Sequence, residues 1–212
     1  MARRRFFVEG VHRGRAQITG PDAHHLTRVL RVEAGQKFEI SDNSNVYLAE
    51  VESARKDVVS FAIIETMPVD VGQALLRTRL FVSLIKFERF EWMLEKATEL
   101  GVDRVTPLET DRSEKGLEHA AGKRLPRWNR IAREASEQSR RARLPEIDSP
   151  MKLAEALHCA AEHRYALDEA EARPILSAIP TGVQRDAQVL VLAGPEGGWT
   201  DRERAGIAAA GW

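Results

Sequence analysis

Hydrophobic and polar residues alternate in short runs through the first 70 positions of the chain. A period of two is typical of strands with one buried face, and the turn residues between the runs mark their ends. The pattern predicts five strands and one helix. The strands are Arg5–Val8, Arg15–Thr19, Gln36–Ser41, Val46–Glu52 and Val58–Glu65, and the helix is Pro21–Val32. We therefore predict a small β-barrel as an N-terminal domain of residues 1–70.

The hydrophobic pattern changes after Pro68–Gln73, a stretch with proline and glycine that we assign as the domain boundary. The run Leu80–Ile85 is continuously apolar, as in strands buried on both faces of a parallel sheet, and apolar positions from Phe90 to Leu100 follow a helical period. The later elements alternate in type: a strand at Arg104–Leu108, a helix at Trp128–Ser139, and strands at Arg164–Leu167 and Gln188–Ala193. This alternation predicts an α/β domain over residues 74–212, with a mainly parallel sheet and a ligand site at the carboxyl ends of its strands.

Charge is unevenly distributed along the chain. The 212 residues have a formal net charge of zero, with 43% hydrophobic and 30% charged residues, which is an ordinary globular composition. Residues 1–31, however, carry seven arginines against two carboxylates, a local balance of +5, and residues 123–143 carry eight Lys or Arg against two glutamates, a balance of +6. Two separated basic regions on a neutral chain indicate a defined surface for a polyanion such as RNA.

Several classes of protein are disfavoured by the same sequence. No apolar run reaches the roughly 18 residues of a transmembrane helix, and the N-terminus lacks the apolar region of a signal peptide. We expect a cytoplasmic protein with no membrane partner. The single cysteine, Cys159, excludes an internal disulfide. We also expect no metal, because the adjacent His24 and His25 diverge on a helix and no matching ligand set accompanies them.

The glycine-rich segment Gly194–Gly198 is the sharpest local feature. It follows the apolar run Val189–Ala193 and precedes Thr200 and Glu203, which have the spacing of a helix capping box. Glycines there let backbone N–H groups approach a ligand closely, as in nucleotide sites. The segment has neither the Lys-Ser/Thr of a P-loop nor the spacing of a dinucleotide fingerprint, so a tight turn between strand and helix is an equally good interpretation from spacing alone.

Arginines supply the other candidate chemistry. Arg112 follows the strand that ends at Leu108, so we expect it at the same edge of the sheet. Part of the second basic region is expected to form internal i,i+4 pairs, for example Arg133 with Glu137. Arg140, Arg141 and Arg143 exceed what the two glutamates can neutralise, and the planar guanidinium suits phosphate.

Six segments in this order resemble the successive motifs of the RsmE family of ribosomal RNA methyltransferases. They are His24–Arg31 (HHLTRVLR), Lys96–Val102 (KATELGV), Arg112–Ser113, Glu134–Arg141 (EASEQSRR), Pro145–Ile147 and Gly194–Gly198 (GPEGG). The resemblance spans nearly the whole chain, and several motifs in order are far more specific than any one of them.

The resemblance implies a fold and a reaction. The fold would be a PUA-like RNA-binding barrel followed by a SPOUT domain, in which the chain forms a deep trefoil knot, an exception to ordinary topology. The reaction would be methyl transfer from S-adenosylmethionine to N3 of a uridine in the 16S RNA of the small ribosomal subunit, catalysed by a homodimer. N3 is protonated and lies on the pairing edge, so the base must be exposed and its proton removed.

The resemblance also implies roles for individual residues. The cofactor would contact Leu167, Leu192, Gly194, Pro195, Gly197 and Gly198. The RNA would contact Arg3, Arg4, Arg5, His25, Arg28, Arg31, Arg140, Arg141 and Arg143. Arg112 would stabilise the developing uridine anion, and Glu196 is a candidate acceptor for the N3 proton.

One departure from the family lies at the end of the sequence. The family continues past the position of Trp212 with a strand and a Leu-Gly-x-Arg-Ile-Leu-Arg-x-Glu-Thr-Ala segment that completes the cofactor site and the knot. We therefore expect an incomplete knot, and weak or absent methyl transfer, from these 212 residues alone. The alternative function is a non-catalytic RNA-binding or ribosome-assembly factor with the same fold. An unrelated α/β nucleotide enzyme would need a phosphate-binding lysine or a ribose-binding acid in register with the glycines, and the sequence shows neither.

Overall fold

The chain forms two compact units in a computed structural model that describes residues 4–68, 76–114, 116–169, 174–180 and 182–212. The first unit is Met1–Val71 with Arg133–Leu144, and the second is Gly72–Ala132 with Pro145–Trp212. The predicted boundary places residues 133–144 in the second domain, whereas their contacts assign them to the first unit. Most of the predicted boundary, residues 69–73, lies outside the described residues.

The first unit contains a curled five-stranded sheet, the half-barrel, in the order β1-β3-β4-β5-β2. Its strands are β1 (Arg5–Phe7), β2 (Arg15–Thr19), β3 (Lys37–Ser41), β4 (Val46–Arg55) and β5 (Val58–Met67). All neighbours pair antiparallel except β1 and β3, which are parallel. The five predicted strands are confirmed, within three residues at each end.

The helix of this unit, α1 (Gly20–Arg28), is shorter than predicted. Ala23 and Leu26 bury its inner face, whereas Val29 is exposed. The chain cannot continue as a helix to Val32, because Arg31 adopts a left-handed conformation with φ of 51°. The apolar pattern continues past the end of the helix, so it predicted a helix that is too long at its carboxyl end.

A buried carboxylate connects three parts of the first unit. Glu39 on β3 is 3% exposed, and its Oε2 accepts hydrogen bonds from Arg5 Nη2 (2.8 Å) and Nε (3.2 Å). Arg140 binds the same carboxylate through Nη2 and Nε, and its carbonyl oxygen accepts a hydrogen bond from Arg5. Glu39 thus joins β1 and β3 to the segment Arg133–Leu144.

The second unit is built on a parallel sheet. Its strands are β6 (Leu76–Ser83), β7 (Arg104–Glu109), β8 (Glu146–Ile147), β9 (Met151–Lys152), β10 (His163–Leu167) and β11 (Ala187–Ala193). The order is β10-β11-β6-β7-β8, β9 also pairs with β7, and every pairing is parallel. The predicted α/β domain with a mainly parallel sheet is confirmed.

Helices accompany this sheet. They are α2 (Phe87–Glu99), α3 (Leu117–Gln138), α4 (Leu153–Ala156), α5 (Ile175–Ala178) and α6 (Asp201–Ala209). The apolar pattern predicted that α3 begins at Trp128, but the helix begins at Leu117 and contains Pro126 in its interior. No helix among the described residues is long and apolar enough to cross a membrane.

The core of the second unit lies on both faces of its sheet. Phe81 packs with Leu192 and Trp199 in one buried cluster, while its neighbour Val82 packs with Phe90 in another. Successive residues of a strand point to opposite faces, so β6 is covered on both. This double burial explains the continuous apolar run that predicted the strand.

The shared carboxylate makes the first unit sensitive to one substitution. We expect Glu39→Gln to lower the free energy of unfolding by about 3 kcal/mol, because both guanidinium groups then lose the ionic partner that they share and that of Arg5 is buried. Urea unfolding measures the change. The matched control is Glu50→Gln, which breaks an exposed pair with Lys37 (3.9 Å) on the adjacent strand and should cost less than about 1 kcal/mol. Equal losses in the two variants would contradict the prediction.

Candidate functional site

The carboxyl ends of four parallel strands meet at one edge of the second unit. Leu167 of β10 is in register with Ala193 of β11, which is in register with Val82 of β6, and Ser83 is in register with Leu108 of β7. Segments that follow these strands therefore start side by side. This is where ligands bind in open parallel sheets.

The glycine segment that follows β11 wraps around a buried tryptophan. Trp199 is 1% exposed, and its Nε1 donates a hydrogen bond to the carbonyl oxygen of Leu167 (2.8 Å). A Cβ at Gly194 would lie 3.0 Å from Cε2 of that ring. A side chain at position 194 would require the buried indole to move by a few tenths of an ångström. The hydrogen bond of that indole fixes the segment against the end of β10.

A second segment, from the end of β7, is fastened to the glycines. Arg112 Nη1 donates a hydrogen bond to the carbonyl oxygen of Gly197 and lies 3.5 Å from that of Trp199. A Cβ at Gly197 would lie 3.4 Å from Cδ of Arg112. Arg112 is thus held against the glycine segment, at the edge of the sheet where the sequence predicted it.

Glu196, the other predicted catalytic residue, is exposed and paired. Arg89, in the first turn of α2, binds its Oε1 in an ion pair between two exposed side chains. Sequence reasoning missed this partner, because 107 positions separate the two residues and no local pattern connects them.

The predicted capping box at the start of α6 is confirmed. The Thr200 hydroxyl accepts from the Glu203 N–H, and Glu203 Oε2 accepts from the Thr200 N–H (2.9 Å). Later in the helix, Arg204 binds both oxygens of Asp168, which follows β10. The hydrogen bonds that Arg204 donates to Asp168 are the main reason why the pKa of Arg204 is raised above its ordinary value.

The predicted cofactor residues gather at this edge, but they present different groups. Leu167 is 43% exposed, whereas the side chains of Leu192 and Pro195 are buried, so these two offer a ligand little more than backbone. Gly194, Gly197 and Gly198 carry no side chain, and Gly198 has a φ of 67°. The exposed leucine supplies an apolar surface next to a stretch of backbone without side chains, although the Gly197 carbonyl oxygen and the Gly198 N–H already have hydrogen-bond partners.

The predicted RNA residues differ in exposure and in the contacts that they make within the first unit. His25, Arg28, Arg31 and Arg143 are exposed, and Arg4 is half-buried. Arg141 donates from Nε to the carbonyl oxygen of Arg143 (3.1 Å). Arg5 is buried on Glu39, and Arg140 is half-exposed on the same carboxylate, so both have a structural function that the arginine count did not reveal. Arg3 lies outside the described residues.

Part of the second basic region is engaged within the first unit. Arg133 donates to the carbonyl oxygen of Phe7 (2.7 Å) and lies 3.7 Å from Asp22 and 3.6 Å from Glu137. The expected pair with Glu137 is therefore present. Burial raises the pKa of Glu137 to about 7, although Arg133 opposes the shift. Within the described residues, no group of three His, Cys, Asp or Glu side chains could hold a metal ion.

Comparison with known proteins adds independent findings. Residues 72–212 match the family model of the RNA methyltransferase domain, and residues 18–64 match that of the RNA methyltransferase PUA domain. The ribosomal RNA small subunit methyltransferase E of Bacillus subtilis is 30% identical over 88% of this chain and 75% of its own length.

Solved structures are similar over almost the whole chain. The ribosomal RNA small subunit methyltransferase E of Neisseria gonorrhoeae, bound to S-adenosylmethionine, is 26% identical with a TM-score of 0.85, covering 99% of this chain and 86% of that one. A putative methyltransferase from Legionella pneumophila, also in complex with the cofactor, has a TM-score of 0.89 at 24% identity over 100% of this chain and 87% of its own; the latter similarity shows the fold alone.

The close approach of Gly194 to Trp199 can be tested by substitution. We expect Gly194→Ala to cost about 1–3 kcal/mol of stability, since the added methyl group would strike a buried ring that cannot move aside. Thermal or urea unfolding measures the loss. The control is Gly206→Ala in α6, where the new Cβ would make an ordinary 3.7 Å contact with Leu157 and helix propensity predicts a gain of about 0.5–1 kcal/mol. A tolerated Gly194→Ala would show that the segment is not fixed by the indole.

Proposed function

We propose that this chain, which belongs to the RNA methyltransferase family, transfers the methyl group of S-adenosylmethionine to N3 of a uridine in the 16S RNA of the small ribosomal subunit. The observation that carries the proposal is the position of Arg112. Its guanidinium is fixed to the glycine segment at the carboxyl edge of the parallel sheet, so a fixed positive charge lies beside the proposed cofactor residues.

The cofactor is proposed to lie against the backbone of Leu167, Leu192, Gly194, Pro195, Gly197 and Gly198. The exposed side chain of Leu167 supplies an apolar surface, and the glycines let the backbone approach closely. S-adenosylmethionine supplies, when bound, a methyl group made electrophilic by its sulfonium. Trp199 does not itself need to touch the ligand, because its hydrogen bond to Leu167 already fixes one wall of the site.

Two side chains are proposed to act on the uridine. N3 carries a proton at neutral pH, and its loss leaves an anion delocalised over the base. Both contacts that Arg112 makes with described residues use Nη1, and we assign its Nε and Nη2 donors to the stabilisation of that anion. Glu196 is the proposed proton acceptor: Arg89 holds its Oε1, and Oε2 is the oxygen we assign to the proton of N3.

The first unit is proposed to bind the RNA. The exposed basic residues His25, Arg28 and Arg31 lie on or directly after α1, and Arg143 is exposed in the segment Arg133–Leu144. We assign phosphate contacts to these residues and to Arg3, Arg4 and Arg141. Arg5 and Arg140 are proposed to support this surface through Glu39, and Arg140 also exposes part of its guanidinium side chain to the RNA. A homodimer acting in the cytoplasm, where small subunits assemble, completes the proposal.

The reaction is tested with radiolabelled S-adenosylmethionine and small subunits that lack the modification. We expect label in N3-methyluridine after digestion to nucleosides when the protein carries the family's C-terminal segment, and weak or no label from the 212 residues alone. Arg112→Ala should lower kcat by about 10²–10³-fold through loss of anion stabilisation, and Glu196→Gln by about 10²–10⁴-fold through loss of the base. Calorimetry should show wild-type cofactor affinity in Glu196→Gln.

Other outcomes would redirect the proposal. Cofactor binding without methyl transfer to any RNA, or RNA binding without cofactor binding, would favour a non-catalytic RNA-binding or assembly factor. Label on an atom other than N3 would leave a methyltransferase but overturn the assigned position. Sedimentation at the mass of one chain would contradict the homodimer.

The RNA surface is tested by its salt dependence. We expect the double variant Arg28→Ala, Arg31→Ala to weaken RNA binding and to reduce the slope of log K against log salt concentration by about 2, because two phosphate contacts are lost. Cofactor affinity should be unchanged. Arg55→Ala, an exposed arginine at the end of β4, is the matched control and should have little effect. An unchanged slope in the double variant would place the RNA elsewhere.

A further inference from the structure

Glu203 is a buried carboxylate that the proposed reaction does not use. It lies in the first turn of α6 and is 8% exposed. A capping box explains only part of its bonding, because that motif requires one hydrogen bond to the N-cap backbone. The Glu203 carboxylate makes further contacts, and one of them reaches a different segment of the chain.

The two oxygens of Glu203 bind two segments. Oε2 accepts from the Thr200 N–H (2.9 Å) and lies 3.0 Å from the Thr200 hydroxyl. Oε1 accepts from the backbone N–H of Asp111 (2.8 Å), 92 positions earlier in the sequence. The Thr200 hydroxyl also lies 3.1 Å from Asp111 Oδ2. The residue before Arg112 is therefore fastened to the start of α6.

We propose that Glu203 is the positioning residue for Arg112. Asp111 is fixed by Glu203, and the next residue, Arg112, contacts the carbonyl oxygens of Gly197 and Trp199. Thr200 follows Trp199 directly in the chain, and its backbone N–H donates a hydrogen bond to Glu203. These contacts form a closed ring that joins the segment after β7 to the glycine segment.

The chemistry of the ring requires a carboxylate. Two backbone N–H groups, of Asp111 and Thr200, point at two different oxygens of one side chain. A glutamine has one acceptor oxygen in place of two, so it can satisfy one of these groups while its NH₂ repels the other. Losing the bond to Asp111 would let Arg112 move away from the glycines, although α6 and its helical core contacts would remain.

The first test does not depend on catalysis. Hydrogen exchange followed by mass spectrometry on the whole chain should show faster exchange of residues 110–113 in Glu203→Gln than in wild type. The matched control is Asp201→Asn, which removes a fully exposed acid from the first turn of the same helix without touching Asp111. Unchanged exchange at 110–113 in Glu203→Gln, or an equal increase in Asp201→Asn, would overturn the inference.

The second test rests on the proposed function and asks whether the two residues act together. Glu203→Gln should lower kcat by between about 10- and 100-fold, the scale expected for a misplaced catalytic group, with a much smaller change in KM for RNA. In an Arg112→Ala background the same substitution should have almost no further effect on kcat, because residues that act as a unit are not additive. Independent, multiplicative losses would show that Glu203 does not act through Arg112 and would overturn the inference. Glu155→Gln, on the exposed side of α4, should leave kcat unchanged.

Global destabilisation of Glu203→Gln can be distinguished from local loosening of residues 110–113. If Glu203→Gln unfolds at the assay temperature, exchange rises over the whole chain rather than at residues 110–113. Thr200→Val then becomes the variant of choice, because it removes the hydroxyl between Asp111 and Glu203 and should raise exchange at residues 110–113, whereas Thr200→Ser keeps the hydroxyl and should leave exchange there unchanged. If wild-type protein transfers no methyl group, the proposed function fails while the exchange experiment still decides the role of Glu203.

Discussion

The contact between Gly194 and the buried ring of Trp199 is the constraint on which the candidate site depends. Glycine is favoured there because a Cβ at that position would lie only 3.0 Å from the indole. The indole in turn binds the end of β10 through Leu167. One close contact therefore fixes the ends of two strands and the direction of the segment between them, and the carbonyl groups that hold Arg112 follow within five residues.

The two units use charge in different ways. In the first, the buried carboxylate of Glu39 pairs with both Arg5 and Arg140. Two of the arginines that make the sequence basic therefore stabilise the half-barrel. In the second, charges fasten segments at the edge of a sheet: Arg89 holds Glu196, and Arg204 holds Asp168. Counting charges along the sequence treats these arginines alike, although only their environment decides whether they are available to RNA.

The pattern of apolar residues was sufficient for the elements and the fold class, because burial on one or two faces leaves a period in the sequence. The continuous apolar run of β6 and the alternation in the half-barrel are examples. The same pattern predicted α1 too long, because the backbone turns left-handed at Arg31. It predicted α3 too short, because that helix passes through Pro126. Both depend on local backbone geometry that hydrophobicity does not encode.

Sequence alone identified the glycine segment, the capping box and Arg112, since each is a local pattern or follows a predictable strand end, and the order of motifs indicated the family. Tertiary structure decided which groups meet. Glu203 reaches Asp111 across 92 positions, and Arg89 reaches Glu196 across 107, while Arg5 turns from a candidate RNA contact into a buried partner of Glu39. The physical reason is that hydrogen bonds and ion pairs depend on distance and direction in space, and parallel strands bring together segments that are far apart in the chain.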